Sequence, residues 1–271
     1  MLACSIAFAE IRQVSQLFYV QQELEKSDKD TLVIFDVDLT LIEPRDQIFS
    51  HSSLDEFAKV NDLLKSRHTE DEIEGLLSIV WATAPAQTVE SDTLAIFKSI
   101  QDRYPNVMFL TAMNSGRYGK ISKQEDWRIE ELTRLGFNLN STLPKASTEQ
   151  LKPYLSAIKA EHSPLCKKGI LFSSFLDKGD VLKAYLRHIG FKPRKIVFVD
   201  DLRKNVESLA KYCDENNIVY VGFEYTAWKH RIATPQSNPK RALLQFEVLD
   251  SVNTWLSDKE ADRILDSLGN A

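Results

Sequence analysis

The chain predicts an α/β fold, a doubly wound parallel sheet that carries a small all-helical insert. Apolar runs without alternation, such as Leu32-Val-Ile-Phe35, Asn106-Val-Met-Phe-Leu-Thr111 and Lys195-Ile-Val-Phe-Val-Asp200, read as strands buried on both faces, the kind that parallel sheets contain. Helical periodicity fills the spaces between these runs. A length of 271 residues is enough for one large α/β domain with an inserted subdomain.

The first residues, Leu2-Ala-Cys-Ser-Ile-Ala-Phe-Ala9, form a short apolar run ending in a small-x-small pattern. That resembles the last part of a secretory signal without its basic leading region. Residues 1–9 are therefore expected to be a signal remnant, which implies a periplasmic or secreted protein. The alternative is a cytoplasmic chain in which this run is the buried face of a first helix, continued by Ile11, Val14, Leu17 and Phe18. Residues 10–27 have helical periodicity and are expected to form a leading helix.

Strands are expected near 32–36, 107–111, 196–200 and 218–223, with their C-terminal ends at one crevice, where doubly wound sheets bind ligands. Pro44 marks the exit into an insert over residues 45–87. Leu54, Phe57, Val60 and Leu64 set the period of one helix there, and Ile73, Leu76, Leu77 and Val80 that of a second. Thr69-Glu-Asp-Glu72 supplies the second helix with a cap and an acidic first turn. Further helices are expected over 88–99, 125–135 (stopped at Gly136), 149–160 and 206–212, with a strand or hairpin over 169–173. The tail is read as helical from Leu243 to Leu268. Residues 10–44 and 88–271 then make up the core domain.

Composition excludes several classes. With 43% hydrophobic and 27% charged residues and a net charge of −5, this is an ordinary soluble globular chain. No basic block is present to neutralise phosphates, so nucleic-acid binding is not expected. No apolar run approaches the roughly 18 residues of a membrane span. The three cysteines, Cys4, Cys166 and Cys213, have no zinc-site spacing with histidine. Whether Cys166 and Cys213 pair, and what oligomer the chain forms, stays open.

The chemistry is concentrated at strand ends. The first strand stops in Asp36 and Asp38, followed by the hydroxyl of Thr40. Two acids so close repel each other unless a cation lies between them. The second strand ends in the hydroxyl of Thr111. Lys178 precedes an amphipathic pattern of Val181, Leu182, Tyr185, Leu186 and Ile189, and the third strand ends in Asp200-Asp201 with Asn205 four residues on. In chain order these are acid pair, hydroxyl, lysine, acid pair.

That order resembles the haloacid dehalogenase-like hydrolase superfamily, over residues 30–225. The resemblance implies a Rossmann-like core with a cap domain, here the small helical insert, and a magnesium-dependent phosphatase. Asp36 would be the nucleophile, forming an aspartyl-phosphate. Asp38 would protonate the leaving oxygen and later activate water. Thr111 would hydrogen-bond the transferring phosphoryl group, and Lys178 would offset its charge and hold Asp36 ionised. Mg2+ would be held by the carboxylates of Asp36 and Asp200 and the backbone carbonyl of Asp38, with Asp201 acting through water and Asn205 orienting the site. The substrate would be a phosphorylated small molecule or a phosphorylated side chain. Lys183 competes with Lys178, and Arg45, Arg117 and Trp127 are candidate substrate contacts. Two other readings are a phosphotransferase of the same fold and a catalytically silent binding or regulatory protein.

Overall fold

The computed structural model describes residues 9–139, 143–155, 163–230 and 238–269. Its first element is a strand: β1 (Ala9–Val14) precedes α1 (Phe18–Leu24), so the helix expected over 10–27 forms only in its second half. The cause is tertiary. Residues 9–14 pair in parallel with the outer edge of a later strand, and the backbone ladder they gain there outweighs a local helical period. Ala9 belongs to this strand, whereas the rest of the segment read as a signal remnant lies outside the described residues.

The chain continues through β2 (Leu32–Phe35), β3 (Ile42–Pro44), α2 (Leu54–Arg67), α3 (Glu70–Thr83), β4 (Ala86–Thr88), α4 (Thr93–Arg103) and β5 (Val107–Thr111). Then come α5 (Gln124–Leu135), the one-turn α6 (Thr148–Leu151), β6 (Leu165–Lys167), β7 (Ile170–Phe172), α7 (Lys178–Ile189), β8 (Lys195–Asp200), α8 (Arg203–Glu215) and β9 (Val219–Tyr225). The short α9 (Ala227–His230), α10 (Pro239–Val252) and α11 (Asp258–Gly269) complete it.

Seven strands form one sheet in the order β1-β9-β8-β2-β5-β7-β6. Every pairing is parallel except the β6–β7 hairpin. Alternate residues of each strand feed two cores. Val33, Phe35, Val107, Phe109, Val197 and Val199 pack on the face with α1 and α4. Leu32, Ile34, Met108, Leu110, Ile196 and Phe198 pack on the other face with α7 and α8. Both faces are buried, which is why these strands read as continuous apolar runs. Gly222 of β9 is needed for close packing, since a Cβ there would lie 2.4 Å from Val206 of α8 and 2.6 Å from the Tyr220 hydroxyl. Cys166 and Cys213 are both free and buried.

Several boundaries differ from those the sequence predicts. The helix expected to start at Thr88 starts at Thr93, because Thr88 is paired with Ile42 in the two-stranded stem β3–β4. That stem, closed by the Arg45 N–H on the Pro85 carbonyl at 2.8 Å, is what tethers the insert. The helix expected over 149–160 is a single turn, capped by Ser147 and Gln150; residues 156–160 lie outside the described residues. The tail is two helices, broken where Asn253 adopts a left-handed backbone, φ 54°. On the insert, Thr69 and Glu72 form the reciprocal cap of α3.

The tail also packs on the insert. Phe246, Leu249 and Trp255 join Ile48, Val60, Leu64, Leu76 and Val80 in a third apolar cluster. The Trp255 indole donates to Asp46 at 2.8 Å, and Arg67 and His68 meet Asp250 at 2.8 and 2.6 Å. The division that assigns 88–271 to the core therefore separates tail helices from the insert they cover. Trp255→Ala should lower unfolding stability by about 3 kcal/mol, the usual cost of emptying a buried aromatic site. Urea denaturation measures it, and a loss under about 1 kcal/mol would show that the tail does not hold the insert.

Candidate active site

The C-terminal ends of β2, β5, β7 and β8 meet at one crevice, and local structure fixes each polar group there. After β2 the chain turns tightly. The N–H groups of Leu41 and Ile42 both donate to the Val37 carbonyl, at 2.9 and 3.1 Å, and Leu39 takes a left-handed backbone, φ 60°. This turn folds Thr40 back so that its hydroxyl donates to Asp36 Oδ2 at 3.1 Å. Lys178, in the first turn of α7, reaches across the sheet and donates to Asp36 Oδ1 and to Asp200 Oδ2, both at 2.6 Å. Asp200 also accepts from the Leu202 N–H at 2.9 Å and from the Asn205 amide at 2.9 and 3.1 Å. Asn205, in the first turn of α8, thus holds Asp200 in place.

Asp36, Asp200 and Asp201 bring carboxylate oxygens within 4.8 Å of one another, and all three are buried. At that separation each like-charged pair costs about 3 kcal/mol with an effective dielectric of about 20. Three negative charges face one ammonium, an excess of two in a site with little water. Protonation is one relief. Burial raises Asp36 well above the usual carboxylate range, against the pull of Lys178, and Asp200 and Asp201 push the same way. Burial, reinforced by Asp200, raises Asp201 to about 7. Burial disfavours the Lys178 ammonium, yet Asp36 and Asp200 outweigh it and raise Lys178 above its ordinary value. A divalent cation is the other relief. The donors are all hard oxygens, a set that suits magnesium.

Asp38 is placed apart from this cluster. Its Oδ1 accepts from Arg128 Nη2 at 2.7 Å, and its Oδ2 lies 3.4 Å from the Thr111 hydroxyl. Both carboxylate oxygens of Asp38 are thus engaged away from the three-acid cluster. Arg128 is buried on α5, with Nη1 donating to Glu131 at 2.6 Å. Burial raises the Glu131 carboxyl, with Arg128 opposing. Arg128 is the residue that sequence reasoning missed, although a signal existed. Glu125, Arg128 and Glu131 recur every third residue on the buried side of an amphipathic helix, where charges belong only if paired.

The other candidates separate cleanly. Lys183 pairs with Glu215 at 3.7 Å on the helix flank. Arg45 is exposed, and Arg117 is exposed and donates to the Gly119 carbonyl of its own loop. Trp127 lines a narrow slot that opens beside Asp38. The loop between β5 and α5 docks on the insert: the Gly119 N–H donates to Glu74 at 2.6 Å and the Lys120 N–H to the Ser78 hydroxyl at 2.9 Å. Gly119 has φ +52°, and a Cβ there would lie 2.5 Å from that hydroxyl. Behind β7, Ser174 and Phe175 both have left-handed backbones, at φ 51° and 57°. Such strain persists where the surroundings impose it, and their N–H groups are held by the Met113 and Ala112 carbonyls.

Sequence comparison finds a family described as "Protein of unknown function (DUF2608)", which matches residues 13–262. An uncharacterized protein of Rickettsia prowazekii is 24% identical over 270 residues, covering 98% of this chain and 96% of its own length. A Chlamydia trachomatis protein named "Putative outer membrane protein" is 26% identical over 247 residues, 89% of this chain and 86% of its own. A Chlamydia muridarum protein of the same name is 32% identical over 110 residues, 40% of this chain and 41% of its own. No solved structure matches. No helix among the described residues is long and apolar enough to cross a membrane.

The buried charge excess has a pH signature. Between the ordinary carboxylate value of 3.8 and about 7, folded Asp201 keeps a proton that the unfolded chain has released. The folded state then binds more protons, so this group's contribution to stability falls as pH rises through that window. In EDTA, wild type should lose melting temperature relative to Asp201→Asn between pH 4 and pH 7, and magnesium should reverse the loss. A pH-independent difference between the two proteins would contradict the charge account.

Proposed function

The chain belongs to the DUF2608 family of proteins of unknown function, and for it we propose a magnesium-dependent phosphomonoesterase of the haloacid dehalogenase-like type, working through an aspartyl-phosphate on Asp36. The observation that carries this reading is the bridge of Lys178 between Asp36 and Asp200, with Asp201 beside them. A structural ion pair needs one acid per lysine, whereas this cluster holds three. An excess of buried negative charge suits a site that takes up a cation together with an anionic substrate.

Asp36, Asp200 and Asp201 would hold the magnesium, together with the Asp38 backbone carbonyl. Bound there, the ion would screen the repulsion between a carboxylate and a phosphate dianion. The chain's own groups do the rest. Lys178 and the Thr40 hydroxyl fix both oxygens of Asp36, so the nucleophile is aimed before substrate arrives. Asp36 attacks phosphorus, and the bond to the leaving oxygen breaks. Thr111, whose hydroxyl already accepts from the Met113 N–H at 3.1 Å, turns its own proton toward the transferring group. Arg128 pins Asp38 Oδ1 and leaves Oδ2 to give a proton to the leaving oxygen and to take one from the water that hydrolyses the acyl-phosphate.

The insert and tail helices serve as the cap of this reading, excluding water and selecting the leaving group. The names of the chlamydial relatives and the Ala7-Phe-Ala9 pattern together support an envelope location, which fractionation of cells expressing the full-length gene product would test. A catalytically silent module is disfavoured because every charged group of the cluster is present, with Lys178 bonded to both Asp36 and Asp200 and Asp201 beside them.

With magnesium, the protein should hydrolyse phosphomonoesters from a chemically diverse panel. EDTA should abolish release of inorganic phosphate. Asp36→Asn should lower turnover by about 1000-fold or more, since an amide neither attacks nor ligates well. Phosphate release that persists in either case would exclude the proposed chemistry.

A further inference from the structure

We propose that the slot beside Asp38 is a subsite for a flat aromatic ring, so that the substrate is a phosphomonoester whose leaving group carries such a ring with a hydrogen-bond acceptor. This deepens the phosphatase reading and rests on it. The slot starts at Asp38 and runs between Phe49 and Trp81 of the insert and Trp127 and Arg128 of α5. It is continuous with the reacting centre through the Arg128–Asp38 pair.

Its walls are made for a ring. Phe49 stacks on Trp81 with centroids 6.4 Å apart and planes 25° from parallel. The Trp81 indole N–H donates to the Tyr118 hydroxyl, and Phe49 itself leans on Trp255 at 5.4 Å. Across the slot, the Arg128 guanidinium lies over the Trp127 ring at 4.8 Å. Both indoles are thus held in fixed planes without filling the space between them. The free volume is about 30 Å³, room for about two waters. A flat group enters so narrow a gap with the least outward movement of α3, and aromatic faces reward that shape with stacking.

Two buried donors point to what the ring carries. Among the described residues the Trp127 Nε1 has no hydrogen-bond partner, and neither has Nε of Arg128, although both other guanidinium nitrogens are engaged. Arg128 is only 4% exposed. Buried donors in folded proteins are nearly always satisfied, and an acceptor on a ligand ring would satisfy these. An aliphatic leaving group would fill the apolar walls and leave both donors unmet.

Phosphonates test this without turnover. With magnesium present, methylphosphonate, benzylphosphonate and 4-carbamoylbenzylphosphonate are titrated calorimetrically against wild type, Trp127→Phe and Trp81→Ala. Trp81 is 44% exposed, so its truncation leaves folding intact, and Phe preserves the shape at 127. Wild type should bind benzylphosphonate about tenfold more tightly than methylphosphonate, and the carbamoyl compound more tightly again. Trp81→Ala should remove the ring preference, and Trp127→Phe should cancel the carbamoyl increment. Equal binding of all three phosphonates, in a protein that still releases phosphate from some phosphomonoester, would overturn the aromatic subsite alone. If no phosphonate binds and no phosphomonoester is hydrolysed, the phosphatase reading fails and the subsite fails with it.

Discussion

The contact on which the rest of the site depends is the ammonium of Lys178 held between Asp36 and Asp200. All three groups are buried, and each comes from a different strand-end segment of the sheet. A buried ion pair contributes little net stability, because desolvation offsets attraction. Here it does something else: it fixes two carboxylates, with Asp201 beside them, at a spacing they would not choose. Asn205 and the Leu202 N–H add to Asp200, and Thr40 adds to Asp36, so each acid is aimed by neutral donors as well as by charge. The turn of β2 into β3, the left-handed Leu39 and the start of α7 make sense as the backbone required to deliver these groups.

A second layer of charge surrounds the first. Arg128 joins Asp38 to Glu131 and carries the α5 helix into the same crevice. Above it, the insert is held at its base by the β3–β4 stem, on its flank by Gly119 and Lys120, and on its outer side by the tail. Arg241 ties the tail to the insert entrance by bonding Asp262 and Gln47, and Arg67 bonds both Glu247 and Asp250. The cover over the crevice is therefore composite, and exchanging residues 45–87 for a short loop would also expose the Phe246 and Leu249 face of α10. In the proposed phosphatase, selectivity would be a property of insert, loop and tail together.

Much of this was legible before any coordinates. Strands buried on both faces have little freedom to be anything else, so β2, β5, β8 and β9 could be read within a residue or two, and the acids at their ends with them. The cap of α3 was legible because Thr69 and Glu72 act locally. What escaped was set by partners far away in the chain. Residues 9–14 become a strand only because β9 offers an edge. The tail joins the insert because Trp255 finds Asp46 at 209 residues' separation. Arg128 sits at no strand end, and only the fold brings Asp38 to it from 90 residues away.

The central claim is that Asp36 becomes phosphorylated. Asp38→Asn should slow hydrolysis of that intermediate while leaving Asp36 able to attack. Incubating this variant with magnesium and a phosphomonoester, quenching in acid and sequencing the peptides by mass spectrometry tests the claim directly. A phosphoryl group on Asp36, absent from the Asp36→Asn/Asp38→Asn double variant, is the result expected. Phosphorylation of a different residue, or turnover with no phosphorylated peptide at all, would contradict it.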